Sequence, residues 1–278
     1  MEYIIMALLA VIIIIIVAFA LIVKPKKLTE EQKKRLCGHF YAHRGLYKQD
    51  QSTPENSMPA FRLAARRGYG IELDVRMTKD GRLAVFHDEG LKRACGAEKT
   101  RVRKLDYEEL SQYRLFGTDE HIPLLGQVLE EVAGRVPLLI DVKTVGAGQT
   151  ESLCERLWER LRDYKGGYAV LSADPEVLVW FRRNAPDVLR GQVTDGYREK
   201  SKRLSNAQRF SRRNLLSNLR TRPHIIACSI GECDALGVRL CLGLFKPLSV
   251  AWTVREELDS ARLRNDFNIL VFEFYAPN

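Results

Sequence analysis

A histidine-arginine-glycine step at His43-Arg44-Gly45, two carboxylates one residue apart at Glu72 and Asp74, and a second histidine followed by an acid at His87-Asp88 fall within one short stretch of this 278-residue chain. Imidazoles move protons near neutral pH, carboxylates hold hard cations, and a guanidinium grips a phosphate with two parallel donors. One site holding all three suits phosphoryl chemistry. Along Ile71-Glu72-Leu73-Asp74-Val75 the period of two puts both carboxylates on one face of a strand and the apolar residues on the other. Two such carboxylates repel unless something positive lies between them. Thr78-Lys79-Asp80-Gly81 reads as a turn, and pairing the flanking runs about Lys79 and Asp80 brings His87 roughly opposite Glu72.

At these residues the chain resembles the glycerophosphodiester phosphodiesterase family, whose pattern runs His-Arg-Gly, Pro-Glu-Asn, Glu-x-Asp and His-Asp. His43-Arg44-Gly45, Pro54-Glu55-Asn56, Glu72-Leu73-Asp74 and His87-Asp88 occur in that order. The likeness continues more loosely through Asp141-Val142-Lys143, Arg190-Gly191-Gln192 and Trp252-Thr253-Val254, from residue 39 to the end. It implies His43 and His87 as the proton-moving pair, Arg44, Lys143 and Trp252 as substrate contacts, and Glu72, Asp74 and Asp141 as holders of one divalent cation. All-oxygen ligation points to Mg²⁺ or Ca²⁺ over zinc. The implied reaction is hydrolysis of a glycerophosphodiester to glycerol 3-phosphate and an alcohol. Two alternatives keep the fold: cleavage of a lysophospholipid by the same site, or a non-catalytic lipid-binding barrel. Asp141 departs from the family, which more often has Glu there, and Phe272-Glu273-Phe274-Tyr275-Ala276-Pro277 replaces its usual Thr-Asp-x-Pro ending, leaving Glu273 without an assigned role.

Eight strand-like runs must position these groups: Phe40–His43, Gly70–Asp74, Leu138–Val142, Tyr168–Ser172, Leu189–Val193, Ile225–Cys228, Ser249–Thr253 and Ile269–Glu273. Leu83–His87 is then an arm of the hairpin. Helix-like runs alternate with them: Ser57–Arg67, Gly126–Ala133, Gln149–Tyr164, Pro175–Asn184, Lys200–Leu219, Cys233–Phe245 and Arg255–Asn265. Alternation of this kind implies a parallel sheet, and eight units imply a closed (β/α)8 barrel with its active groups at the C-terminal strand ends. An open doubly wound sheet is disfavoured because no Gly-rich phosphate loop follows the first strand. No helix follows the eighth strand, and Leu28–Cys37 is expected to cover that gap.

Tyr3–Val23 is an unbroken apolar run, long enough at about 1.5 Å per residue to cross a hydrocarbon layer of about 30 Å. It reads as a membrane helix; a cleaved signal peptide fits less well, since no basic residue precedes it and no small-x-small cleavage site ends it. The chain therefore divides into a transmembrane anchor (1–24), a basic linker (25–38) and a barrel domain (39–278). Lysines 24, 26, 27, 33 and 34 follow the helix while Glu2 alone precedes it, so the positive-inside rule places the barrel in the cytoplasm. The six cysteines show no paired spacing of a secreted framework, which suits a reducing compartment. His224, Cys228 and Cys233 make a weak zinc pattern whose apolar neighbours favour buried thiols. Residues 198–222 carry nine basic side chains and one acid of a chain whose net charge is +9. They read as one basic amphipathic helix facing either solvent or an anionic leaflet; nucleic acid is excluded as a partner by the lack of aromatic platforms or a reading motif.

Overall fold

In the computed structural model, residues 1–144, 147–194, 204–231 and 233–277 are described. The strands are Tyr41–Ala42 (β1), Gly70–Met77 (β2), Leu83–Val85 (β3), Leu138–Val142 (β4), Tyr168–Ser172 (β5), Arg190–Thr194 (β6), Ile225–Ser229 (β7), Leu248–Val254 (β8) and Ile269–Phe272 (β9). β1 pairs in parallel with both β2 and β9, so the sheet closes on itself, and β3 lies outside the ring as an antiparallel arm of β2. The result is the expected parallel eight-stranded barrel. Alternation along the strands sorts the side chains: Ile71, Leu73, Val75, Leu138, Ile140 and Val142 join the layer beneath the helices, while Leu139, Ala169, Val250 and Val271 fill the barrel interior.

The helices in chain order are Glu2–Val23 (α1), Glu30–Lys34 (α2), Met58–Arg66 (α3), Lys92–Cys95 (α4), Tyr107–Leu110 (α5), Leu125–Val132 (α6), Ala147–Leu161 (α7), Pro175–Asn184 (α8), Asn206–Arg213 (α9), Asn218–Thr221 (α10), Leu236–Leu240 (α11) and Glu257–Leu263 (α12). α3 starts where its sequence demands, with the Ser57 hydroxyl capping the Ala60 N–H and proline in the first turn. Residues 88–122, to which the sequence reading assigns no element, pack with Phe86 around a small core of their own built on Leu91, Val102, Leu110, Leu115 and Ile122.

Four expectations are corrected. The hairpin turn holds three residues, not two: the Thr78 N–H donates to the Arg82 carbonyl, Gly81 takes φ +79°, and Val75 pairs with Val85. Phe86 thus lies beside Asp74, and His87 sits one place off the position expected opposite Glu72. Leu28–Cys37 closes the floor of the barrel, not the ring of helices: Leu28 and Leu36 are buried among the interior residues, and the Tyr41 hydroxyl donates to the Leu36 carbonyl. The basic run is not one helix. Leu215, buried and at φ +56°, separates α9 from α10, and the expected residues 198–203 lie outside the described ones. Cys228 and Cys233 are joined in a disulfide, because the turn after β7 brings their Cα atoms to 5.8 Å, within bonding range. Cys37, Cys95, Cys154 and Cys241 are free. That one bond, beside four free thiols, weighs against the reading of a reducing compartment.

Candidate active site

The parallel register of β2 and β4 sets Asp74 directly beside Asp141, and period two adds Glu72 on the same inward face. One oxygen from each of these three buried carboxylates lies within 4.8 Å of the others. Asp141 Oδ1 is buried with no hydrogen-bond partner among the described residues, so the cluster keeps an acceptor facing inward with nothing to accept from. Three convergent oxygens and one orphaned acceptor fit a hard divalent cation. Lys143 bridges the same groups here, its ammonium 2.6 Å from Asp141 Oδ2 and 3.1 Å from Asp74 Oδ1.

The turn off β1 brings in the first histidine and the arginine. Arg44 takes φ +55°, held there by its N–H donating to Glu72 Oε2 and its carbonyl accepting from the Asn56 N–H. Gly45 follows at φ +81°, where a Cβ would meet Ala60 and Phe61 at 3.0 Å, so only glycine lets α3 approach this closely. The Arg44 guanidinium reaches Glu55 at 2.8 Å and Asp74 at 3.3 Å. Asn56 donates its side-chain amide to Asp74 Oδ2 at 2.9 Å. The Pro-Glu-Asn step is therefore a brace for the arginine and for one of the carboxylates.

Each histidine carries a carboxylate on Nδ1. His43 Nδ1 lies 2.7 Å from Glu273 Oε2, and His87 Nδ1 lies 2.7 Å from Asp88 Oδ1. That pairing leaves both Nε2 atoms for other work, and His43 Nε2 is 3.9 Å from Glu72. Arg93, on α4, ties the second pair back to the first turn: it donates to Asp88 at 2.6 Å and grips both oxygens of Glu55 at 2.7 and 3.0 Å.

All eight expected site residues, His43, Arg44, Glu72, Asp74, His87, Asp141, Lys143 and Trp252, line one cavity of about 210 Å³. Its β1–β4 side is charged; its β5–β9 side is apolar, made of Leu171, Val193, Ala227, Val250 and Val271 with Trp252. Residues 43–268 match the glycerophosphoryl diester phosphodiesterase family. The chain belongs to that family.

Among the relatives of this phosphodiesterase family member are a glycerophosphodiester phosphodiesterase of Bacillus altitudinis, 43% identical over 115 residues that make up 37% of this chain and 44% of that one, and lysophospholipase D GDPD1 of Rattus norvegicus, 32% identical over 154 residues, 51% of this chain and 46% of that one. The matched stretch thus spans less than half the length of either relative. A phosphodiesterase from Oleispira antarctica, solved with the product sn-glycerol-3-phosphate, superposes with a TM-score of 0.68 at 21% identity, covering 86% of this chain and 94% of that one. A glycerophosphodiester phosphodiesterase from Thermotoga maritima gives 0.63 at 22% identity, covering 84% and 94%. At such identities these two likenesses speak for the barrel fold alone.

Electrostatics separate the clustered carboxylates. Burial, and then repulsion from Asp74 and Asp141, pushes the Glu72 carboxyl well above its ordinary value. Burial opposes ionisation of Asp74 too, but Lys143, His87 and Arg44 beside it hold that carboxyl far below the usual range. Burial lowers the His43 imidazole against the pull of Glu273, so it is readily neutral. Glu273 itself is held at about 2, because hydrogen bonds from His43, Tyr47 and Arg255 outweigh its burial.

Sequence reasoning passed over Arg93 and gave no role to Glu55, Asp88 or Glu273. One signal for Glu273 was readable. Ile269 and Val271 point into the barrel while Leu270 and Phe272 point out, so the same alternation carries the next residue inward at the strand end.

Proposed function

We propose that the protein is a metal-dependent phosphodiesterase that cleaves glycerophosphodiesters to glycerol 3-phosphate and an alcohol. The observation that carries this reading is the pair of histidines, each buttressed by a carboxylate on Nδ1 and set in the same cavity as a three-carboxylate cluster and an arginine. Glu72, Asp74 and Asp141 would hold the cation, Mg²⁺ or Ca²⁺, which when bound supplies Lewis-acid neutralisation of the phosphate. Arg44, already braced by Glu55, adds a fixed positive charge for the phosphoryl oxygens, and Lys143 a second one. His43 and His87 divide the proton work. One takes the proton of the neighbouring glycerol hydroxyl as it attacks phosphorus, the other gives a proton to the departing alcohol oxygen, and water then opens the resulting cyclic phosphate to glycerol 3-phosphate.

A second substrate class has an observation of its own. The apolar half of the cavity, from Leu171 to Val271 with Trp252, suits a hydrocarbon substituent better than a choline or a sugar, which favours a lysophospholipid at the same site. Incubating the purified full chain with glycerophosphocholine and with lysophosphatidylcholine, with and without chelator, tests both. Release of glycerol 3-phosphate from the first, or lysophosphatidic acid from the second, abolished by chelator, is expected. Hydrolysis of neither would leave only the lipid-binding alternative.

We further propose that α1 anchors the enzyme in a membrane and that residues 39–278 form the catalytic unit. α1 has 22 residues, an 18-residue window of which has mean hydropathy 3.5, and is long and apolar enough to span a bilayer. The lysines after it favour a cytoplasmic barrel; the Cys228–Cys233 bond argues for the other side. Impermeant labelling of a cysteine placed at Gln49, in intact cells, decides between them. The basic residues near α9 add a contact with anionic lipid, reduced from the expected full stretch because Arg220 pairs with Glu176 and Arg222 is engaged with α1.

A further inference from the structure

α1 does not hang from the barrel on a slack tether. The Asn218 amide donates to the Val23 carbonyl at 2.9 Å, and Arg222 Nη1 donates to the carbonyls of Leu21 and Lys24 at 2.9 and 2.8 Å. These satisfy carbonyls that a helix C-terminus leaves open, and the guanidinium lies at the negative end of the helix dipole. The Lys26 N–H donates to the Pro223 carbonyl at 2.8 Å, fixing the chain just beyond. Val23 is fully buried, and with Phe19 it packs into a cluster holding Leu215, Ile226, Val238 and Cys241.

This contact sets a depth. At about 1.5 Å per residue Phe19 lies roughly 6 Å inside the apolar end of α1. If α1 spans a bilayer, whatever packs around Phe19 sits at the boundary between acyl chains and headgroups. What packs there is the apolar segment Leu236–Phe245, with Arg239 its one charged residue. Its outer side chains are not covered: Leu236 is 68% exposed and Leu244 60%. Beside Leu236, Phe210 of α9 is 62% exposed and shares a shallow depression with Arg209 and Arg213. Single exposed leucines are ordinary on a soluble surface. A group of them continuous with the seat of an apolar helix is not, and amphipathic segments that lie in the interface bury their apolar face about 5–10 Å deep.

We infer that Leu236–Phe245, together with Phe210, forms a shelf inserted into the bilayer that holds α1. Its occupant is the lipid of that leaflet: acyl carbons against Leu236, Leu244 and Phe210, and anionic headgroups near Arg209 and Arg239, Arg213 being paired with Asp234 at 3.5 Å. The barrel then stands at a fixed attitude to the membrane. The inference rests on the proposal that α1 spans the bilayer, and the test separates the two.

The full chain is reconstituted into liposomes containing phosphatidylglycerol, with single tryptophans introduced as Leu236→Trp, Leu244→Trp, Ile12→Trp within α1, and Gln112→Trp on the exposed insertion between β3 and α6. Added emission is compared in vesicles with and without brominated acyl chains. Quenching of Leu236→Trp and Leu244→Trp roughly twofold or more above that of Gln112→Trp, alongside strong quenching of Ile12→Trp, is expected. Strong quenching of Ile12→Trp with Leu236→Trp and Leu244→Trp no more quenched than Gln112→Trp would overturn the shelf and leave the anchor standing. An unquenched Ile12→Trp would overturn the anchor, and the shelf with it.

Discussion

Glu273 Oε2 accepts from His43 Nδ1 at 2.7 Å, although the two residues are 230 positions apart. The Tyr47 hydroxyl donates to the same oxygen at 2.8 Å, and Arg255 holds the other carboxylate oxygen at 2.7 Å. A carboxylate fixed at both oxygens cannot rotate, so it fixes the imidazole in turn. It also favours the tautomer with Nε2 unprotonated, the one that can accept a proton inside the cavity.

Replacing Glu273 by Gln keeps the size and removes the charge. Turnover of a glycerophosphodiester is expected to fall about 10²-fold or more, within the range of a general acid or base contribution. A negative partner stabilises the imidazolium, so its loss lowers the His43 pKa further, and the acidic limb of the rate profile moves to lower pH. Rates measured across pH 4 to 8 check this. An unchanged limb would show that Glu273 does not act through His43.

Arg93 joins the two halves of the site without lining the cavity. Holding Asp88 with one nitrogen and Glu55 with two others, it positions His87 and Arg44 together. Arg93→Lys is expected to lower kcat by about tenfold to a hundredfold while KM changes little, since a single ammonium cannot make three directed contacts. Calorimetric titration of Mg²⁺ should be unaltered. Loss of metal affinity would mean that the substitution has disturbed the carboxylate cluster instead.

Much of this was legible in the sequence, and the rest was not for identifiable reasons. Period two along Gly70–Asp74 and Leu138–Val142 gave the inward carboxylates correctly, because strand alternation is enforced by the chain itself. The hairpin register failed by one residue because Gly81 made a three-residue loop where the turn motif suggested two. Arg93 was out of reach: its partners Glu55 and Asp88 come from separate loops, and only packing of the 86–122 core brings α4 over them. The break at Leu215 was hidden for a similar cause. Its helical spacing continues the apolar pattern, but burial against Val23 and Ile226 overrides the local preference.

Lys143 lies between Asp141 and Asp74, so it competes for oxygens that would hold a divalent cation. Lys143→Met is expected to bind Mg²⁺ or Ca²⁺ about tenfold more tightly, from removal of a like charge in a buried setting, and yet to turn over more slowly for want of a phosphate contact. Asp141→Ala should lose metal and activity together, whereas His43→Ala and His87→Ala should lose activity and retain metal. Calorimetry beside a turnover assay separates these outcomes. Metal binding by Asp141→Ala as tight as the parent's would remove Asp141 from the ligand set.

His224 makes a prediction about stability at the opposite end of the barrel. It is fully buried ahead of β7, where its Nδ1 accepts from the Arg190 N–H at 3.2 Å. Burial, then the charges of Arg190 and Lys26, lower its pKa from 6.5 to about 3. The folded state therefore binds this proton less readily than the unfolded state. The contribution of neutral His224 is fully present above pH 6.5 and is lost as pH falls from there towards 3, by on the order of 4 kcal/mol across that window. His224→Asn retains an acceptor near the Nδ1 position but does not titrate. Urea melts of the full chain in detergent at pH 7.5 and pH 4.5 should show a smaller acid loss for His224→Asn than for the parent, after each is referred to its own value at pH 7.5. Parallel losses in the two proteins would mean that acid sensitivity lies elsewhere, in the carboxylates around Asp74.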